Sequence, residues 1–301
     1  METRKKVEVV EIGPRDGFQS IVDFIPTPFK LEIVERLYHA GFKRMQITSF
    51  VSEKAIPQLR DAGELTRLAI ERCPDHRFFA LVPNVQGATA AWDAGLKEVA
   101  HVMSLSEAHN QANLGKTVEQ SIEEVVRIRQ KLPDLKMIQD IGTTFGCPFS
   151  GRMEKGALID LIGRLADLGA DEITLCDTIG VAHPGQIQDV MQTVRTAFPN
   201  LCFAIHIHDT RNMGIINTYT AIQNGASSVQ TSVGGLGGCP FAPGASGNTA
   251  TEDLVYLLHA EGYETGIDFY QLLETAKHLA QNVRGLYSGH HINITVQTPS
   301  F

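Results

Sequence analysis

KVEVVEIGPRDGF, residues 6–18, decides between two architectures. Its first half, 6–12, carries Val7, Val9, Val10 and Ile12 in a short β-branched run and reads as a strand. An open doubly wound sheet places a phosphate-binding GxGxxG after its first strand. Here the strand runs into Gly13-Pro14, then a bare Arg15-Asp16 pair, then Gly17. A surface ion pair at a turn is one reading, and such a pair adds little stability. The other is a strand end that delivers a cation and a carboxylate into one pocket.

The rest of the chain repeats the strand–helix alternation. Strand-like runs fall at 6–12, 43–49, 77–82, 98–105, 136–141, 172–176, 202–207 and 228–233. Amphipathic stretches lie between them, among them 28–40, 117–131, 155–168 and 184–198. In 28–40, Leu31, Val34, Leu37 and Tyr38 share one helical face, and Gly41 stops the helix. About eight strand–helix units make a closed barrel, so the expected fold is α/β, a (β/α)8 TIM barrel. Two further helical patterns over about 249–284 predict additional C-terminal helices. No linker or low-complexity stretch divides residues 1–301, which read as one domain. In such a barrel, chemistry gathers at the C-terminal ends of the strands, where Arg15-Asp16 lies.

Composition narrows the function. The 301 residues are 43% hydrophobic and 20% charged, with a net charge of −8, and no Lys/Arg cluster extends beyond METRKK. Neither a nucleic-acid partner nor an anionic membrane suits that balance. No apolar run approaches membrane-spanning length and no signal-like segment opens the chain, so a cytoplasmic location is expected. The cysteines Cys73, Cys147, Cys176, Cys202 and Cys239 are odd in number and widely spaced, which fits reduced thiols.

The strongest local signal is IHIHDT, 205–210. His206 and His208 stand two apart on a strand and project from one face. Two interior imidazoles hydrogen-bonded to neighbouring strands are one explanation; a divalent metal accounts for both rings at once. Asp16, at another strand end, favours the metal. Mixed nitrogen and oxygen donors suit Mg²⁺ or Mn²⁺, with Zn²⁺ a third option. After the last strand comes GGLGGCPFAPGASGN, 234–248, with six glycines in fifteen residues. It has no Lys, and prolines interrupt it, so a lid carrying Cys239 over the pocket fits better than a phosphate cradle. Asn248, where this loop meets a helix, is by itself explained as an N-cap. Gln46, Asp140, Asp177, Thr178 and Arg211 are further polar residues at strand ends.

Together these stretches resemble the 3-hydroxy-3-methylglutaryl-CoA lyase family of metal-dependent (β/α)8 lyases. The anchors are GPRDGFQ (13–19), TSFVSEKAIPQLRD (48–61), FGCPFSG (145–151), CDTIGVAHPGQ (176–186), HIHDT (206–210) and GGLGGCPFAPGASGNTATEDLVYLL (234–258). The resemblance implies metal ligands at Asp16, His206, His208 and Asn248. It implies a catalytic arginine at Arg15, a lid cysteine at Cys239 and a site-ordering aspartate at Asp177. It also implies an acyl-CoA substrate, a homo-oligomer, and retro-Claisen cleavage to acetyl-CoA and a keto acid. Gln19, Asp140, Thr178 and Arg211 join Arg15 as expected substrate contacts.

Departures from the family pattern cluster in the pocket. Gln46 replaces a glutamate, and Ser20-Ile21 replace Asn-Glu. Ile138 and Asp140 replace Arg and Tyr, and Arg211-Asn212 replace Tyr-Gly. They suggest an altered acyl substrate such as citramalyl-CoA, with Arg211 receiving a carboxylate. A metal-binding relative without catalysis and a synthase running the condensation are the other readings.

Overall fold

The computed structural model describes residues 5–238 and 247–295. Eight parallel strands close into a barrel in sequence order. They are β1 (Glu8–Glu11), β2 (Arg44–Ser49), β3 (Arg77–Val82), β4 (Glu98–Ser104), β5 (Lys136–Gly142), β6 (Glu172–Asp177), β7 (Phe203–Ile207) and β8 (Ser228–Thr231). Closure is by pairing of β1 with β8, Glu8 through Glu11 lying beside Ser228 through Thr231. Strands buried on both faces read as near-continuous apolar runs, which is why they were visible in the sequence.

Ten helices surround the barrel among the described residues. They are α1 (Thr27–His39), α2 (Ala62–Arg72), α3 (Val85–Asp93), α4 (Glu107–Leu114), α5 (Val118–Lys131), α6 (Lys155–Asp167), α7 (Pro184–Ala197), α8 (Gly214–Gln223), α9 (Thr251–Ala260) and α10 (Phe269–Asn282). α1 starts on Pro26 and Pro28, buries Leu31, Ile33, Val34 and Leu37, and stops before Gly41. α5 opens with a reciprocal capping box between Thr117 and Gln120, which satisfies two otherwise orphaned backbone donors. The two helices read as an addition stand inside the ring itself: α9 packs between α8 and α10, and α10 packs against α1.

Two cores result. The larger lies between strands and helices, from Val9 and Ile47 out to Leu254 and Leu279. A smaller plug of Val10, Ile12, Phe79, Ala100 and Ile138 fills the barrel interior. Below it Arg44, 3% exposed, meets Glu98 at 2.5 Å, Glu172 at 3.1 Å and Glu8 at 3.5 Å. These layers seal the lower end and leave the upper end for polar groups.

Candidate active site and metal centre

Directly after β1 the backbone of Gly13–Gly17 winds into one wide turn. The Ile12 carbonyl accepts from the amides of Arg15 (3.0 Å) and Asp16 (2.7 Å). Gly13 is required there, because a Cβ would sit 2.7 Å from Glu11 Oε1 and 2.9 Å from Val233 Cγ1. The turn aims both side chains over the barrel mouth. Arg15, 6% exposed, donates Nε to Gln46 Oε1 and a terminal nitrogen to Asp16 Oδ1. A guanidinium held at two points presents its charge in a fixed direction.

Opposite it stand His206 on β7 and His208 just past that strand's end, their ring centroids 5.1 Å apart. Each Nε2 is 4.0 Å from Asp16 Oδ2. The chain returns from the glycine loop to lie along this strand end. Asp209 donates to the Gly247 carbonyl (3.0 Å), and Thr249 donates to the Ile207 carbonyl (3.2 Å). That pairing sets Asn248 beside His208. Asn248 Nδ2 donates to Asp16 Oδ2 at 2.7 Å, and its Oδ1 lies 2.9 Å from His206 Nε2. The two stems of the loop are pressed together, since a Cβ on Gly247 would sit 2.5 Å from both the Gly235 carbonyl and the Gly237 nitrogen.

These groups fit a divalent cation. Ligand atoms of Asp16, His206 and His208 all lie within 4.8 Å of one another, and the Asn248 oxygen joins them. Protonation also suits ligation. Burial pushes the Asp16 carboxyl up, but the charges of Arg15, His206 and His208 and the Asn248 amide outweigh it and hold the pKa near 2. Burial and the neighbouring His206 charge bring His208 down to about 4, so its imidazole is neutral. Gln230 Oε1 sits 3.1 Å from His206 Nδ1, while Gln230 Nε2 donates to Thr174 at 3.2 Å. That bond fixes the tautomer and leaves Nε2 for the centre.

The cluster opens into a cavity of about 420 Å³ that also reaches Gln19, Asp140, Cys176, Thr178 and Lys116. Thr178 accepts from the Thr143 amide at 2.7 Å. Gln46 stands behind Arg15 and is fully buried. Two expected site residues bond to the loop after β6. Asp177 spends both carboxylate oxygens on the amides of Val181 and Ala182, each at 3.0 Å, and so shapes the loop after β6. Arg211 is exposed and donates to the carbonyls of Ile179 (3.0 Å) and Gly180 (2.9 Å), which holds its charge outside the cavity. Cys239 lies outside the described residues.

Sequence reasoning missed three contributors. Gln230 had a faint signal, a lone amide in the strand run SVQTSV. Glu11, 0% exposed, accepts from Gly13 (2.7 Å), Val233 (2.9 Å) and Thr251 (2.7 Å), tying the Arg15 turn to the root of the loop. Ser288 had no signal. It lies beyond α10 and donates to the Asn248 carbonyl at 3.0 Å. Asp253 holds its segment in place by accepting from the amides of His290 (2.8 Å) and His291 (3.0 Å).

Comparison with known proteins places this geometry in context. The family model described as HMGL-like matches residues 6–279. The chain is 38% identical to the mitochondrial hydroxymethylglutaryl-CoA lyase of Bos taurus, over 92% of this chain and 86% of that protein. It is 39% identical to the cytoplasmic 3-hydroxy-3-methylglutaryl-CoA lyase of Danio rerio, over 89% and 80%. Among solved structures, an HMG-CoA lyase from Acinetobacter baumannii, in complex with coenzyme A and 3-methylmalate, superposes with a TM-score of 0.91 at 36% identity, covering 98% of each chain.

Proposed function

The chain belongs to the HMGL-like family, whose members here are carbon–carbon lyases, and on that premise we propose that it cleaves the C2–C3 bond of a 3-hydroxyacyl-CoA thioester. The products are acetyl-CoA and a carbonyl compound. The observation that carries this reading is the convergence of Asp16, His206, His208 and Asn248 beside a fixed, desolvated Arg15 at the mouth of one cavity.

Lyases of this family depend on a divalent metal, and Asp16, His206, His208 and Asn248 are the residues that would hold it here. Mg²⁺ or Mn²⁺ suits this donor set, and Zn²⁺ is the third option. When bound, the ion supplies a Lewis acid for substrate oxygens. The remaining work falls to the protein. The 3-hydroxyl must lose its proton, the C2–C3 bond must break, and C2 must be reprotonated. Breaking the bond leaves negative charge on the thioester oxygen, and Arg15 is positioned to oppose it without reorganising. Gln46 keeps Arg15 in that pose and, being an amide, takes no part in proton transfer. The lid cysteine, Cys239, is our candidate for returning the proton to C2.

The acyl-CoA class is supported by the coenzyme A bound to the Acinetobacter baumannii neighbour. A citramalyl-CoA substrate gripped by Arg211 loses support, because that guanidinium is engaged on the Ile179 and Gly180 carbonyls. We also propose that the chain works as one lyase unit across 1–301, in the cytoplasm and as a homo-oligomer. The cytoplasmic relative supports the location, and no described helix is long and apolar enough to cross a membrane.

The test is acetyl-CoA release from a panel of 3-hydroxyacyl-CoA thioesters by the Mn²⁺- or Mg²⁺-loaded protein. Turnover that disappears with chelator and returns with metal is expected. Silence across the panel with metal demonstrably bound overturns the reading in favour of a non-catalytic metal-binding relative.

A further inference from the structure

Across the barrel mouth from the metal cluster stands one lysine. The cluster is carried at the ends of β1, β7 and β8, and in the closed strand order β3 and β4 lie on the opposite side. Lys116 belongs to the connection that follows β4. It is the single residue between Gly115, which ends α4 with a left-handed φ of 66°, and Thr117, which caps α5. Asn110 Nδ2 holds its carbonyl at 2.9 Å. The Lys116 side chain, 24% exposed, lines the cavity and donates to Glu124 Oε1 at 3.0 Å and to the Pro83 carbonyl at 3.4 Å. An ammonium has three hydrogens, so one is left over among the described residues. Glu124 does not belong to Lys116 alone, since its carboxylate also accepts from Arg127 at 3.2 Å and from the Val85 amide at 3.1 Å. Fixing a lysine costs rotamer freedom, and an ion pair whose lysine is open to solvent returns little of it. Negative charge on a ligand accounts for the arrangement.

Two amides stand in the same wall. Asn84, which follows Pro83, spends its Oδ1 on the Gly87 amide at 2.9 Å and keeps Nδ2 without a bond among the described residues. Asn113, on the last turn of α4, is exposed. Leu81, Val102 and Leu114 make the rest of this side apolar. Arg15 is the only other described lysine or arginine that lines the cavity, and it is bonded to Gln46 and Asp16. An anionic group that reaches this side of the mouth therefore meets one cation. A hydroxymethylglutaryl thioester of coenzyme A brings two kinds of oxyanion, the carboxylate that ends its acyl chain and the phosphates of the coenzyme. We propose that Lys116 is a further substrate-binding residue that receives one of these oxyanions, with Asn84 and Asn113 as neighbouring donors, so that the thioester is gripped from both sides of the barrel mouth. This rests on the lyase reading above and deepens it by naming a second anchor for its substrate.

Three thioesters test it and separate the two sources: 3-hydroxy-3-methylglutaryl-CoA, which has both oxyanions; its N-acetylcysteamine thioester, which lacks the phosphates; and 3-hydroxy-3-methylbutyryl-CoA, which lacks the terminal carboxylate. KM and kcat are read from release of the ketone product by the metal-loaded wild type, K116M and K116R. K116M keeps the apolar stem and loses the charge. It is expected to raise KM for the first thioester about 10-fold while kcat stays within about 2-fold. K116R, which keeps the charge, is expected to recover most of that loss, and added salt should narrow the gap between wild type and K116M. A penalty that vanishes on the N-acetylcysteamine thioester assigns Lys116 to a phosphate. One that vanishes on 3-hydroxy-3-methylbutyryl-CoA assigns it to the carboxylate. An unchanged KM for the first thioester, or a penalty of equal size on all three, overturns the proposal. Absence of ketone from all three counts against the lyase reading instead, and the same comparison made on Kd by calorimetry then decides the role of Lys116 alone.

Discussion

Ser288 Oγ donates to the backbone carbonyl of Asn248 at 3.0 Å, so a residue beyond the last helix of the ring steadies a member of the metal cluster. Gly289 adds a second tie, donating to the Gly234 carbonyl at 3.0 Å. Replacing Ser288 with Ala removes one hydrogen bond worth about 1 kcal/mol. Metal affinity by calorimetry should fall about 5-fold, and Ser288→Thr should recover most of it. Equal affinities for Ala and wild type would detach this segment from the site.

Gln230 orients His206 without approaching a substrate. Outer partners of ligating histidines typically carry about 10- to 100-fold in metal affinity. Gln230→Leu should therefore weaken metal binding within that range while far-UV circular dichroism stays unchanged. Restoring activity by raising the metal concentration would mark the defect as one of binding.

Gln46→Leu frees the Arg15 Nε and leaves a buried guanidinium nitrogen unpaired. The expected loss in kcat/KM is about 10- to 100-fold, the equivalent of about 1.4–2.7 kcal/mol. It should fall on kcat more than on KM, because Arg15 opposes charge that appears only as the bond breaks. A loss confined to KM would assign Arg15 to ground-state binding.

Stability should decline toward alkaline pH. Burial, outweighing the bonds from Thr251, Gly13 and Val233, raises Glu11 to about 7. Burial and the Asp253 charge raise Glu252 to about 8. An unfolded chain releases these protons near 4.5, whereas the folded one keeps them. The folded state thus binds more protons between pH 4.5 and 8, and its stability falls as pH rises through that window. Thermal unfolding between pH 5 and 8 should show this slope, and Glu252→Gln should flatten it. Parallel slopes in variant and wild type would remove Glu252 as a cause.

Arg44→Met tests the opposite end of the barrel. It abandons Glu98 and Glu172 in a buried layer, a class of change that costs about 3–5 kcal/mol. A Tm lower by roughly 5–10 °C is expected, with KM for any accepted thioester unchanged. A shift in KM would mean that the floor communicates with the cavity.

The strands were legible because a parallel barrel buries both strand faces, and their observed bounds differ from the sequence reading by at most two residues at either end. Arg15, Asp16, His206 and His208 were legible too, since strand-end position and two-residue spacing are written directly in the chain. Side-chain direction was not. Arg211 lies in the right neighbourhood but is captured by the carbonyls of the loop that follows β6, an event decided by loop geometry. Gln230, Glu11 and Ser288 depend on contacts across tens to hundreds of residues, which no local pattern records. Asn248 illustrates the middle case: the residues offered a helix cap, family resemblance suggested a ligand, and the pairing of 247–249 with 207–209 brings its side chain to Asp16 and His206.

The close approach of Gly247 to Gly235 and Gly237 has a practical consequence for anyone wishing to diversify this enzyme. It makes the two stems a clasp in which the backbone at 247 lies directly on that of 235 and 237. The contacts of Asn248, Ser288 and Glu252 all lie at or outside that clasp. A side chain at position 247 would force those stems apart and carry the neighbouring Asn248 with them, so Gly247 is a position to leave unchanged when the pocket is altered.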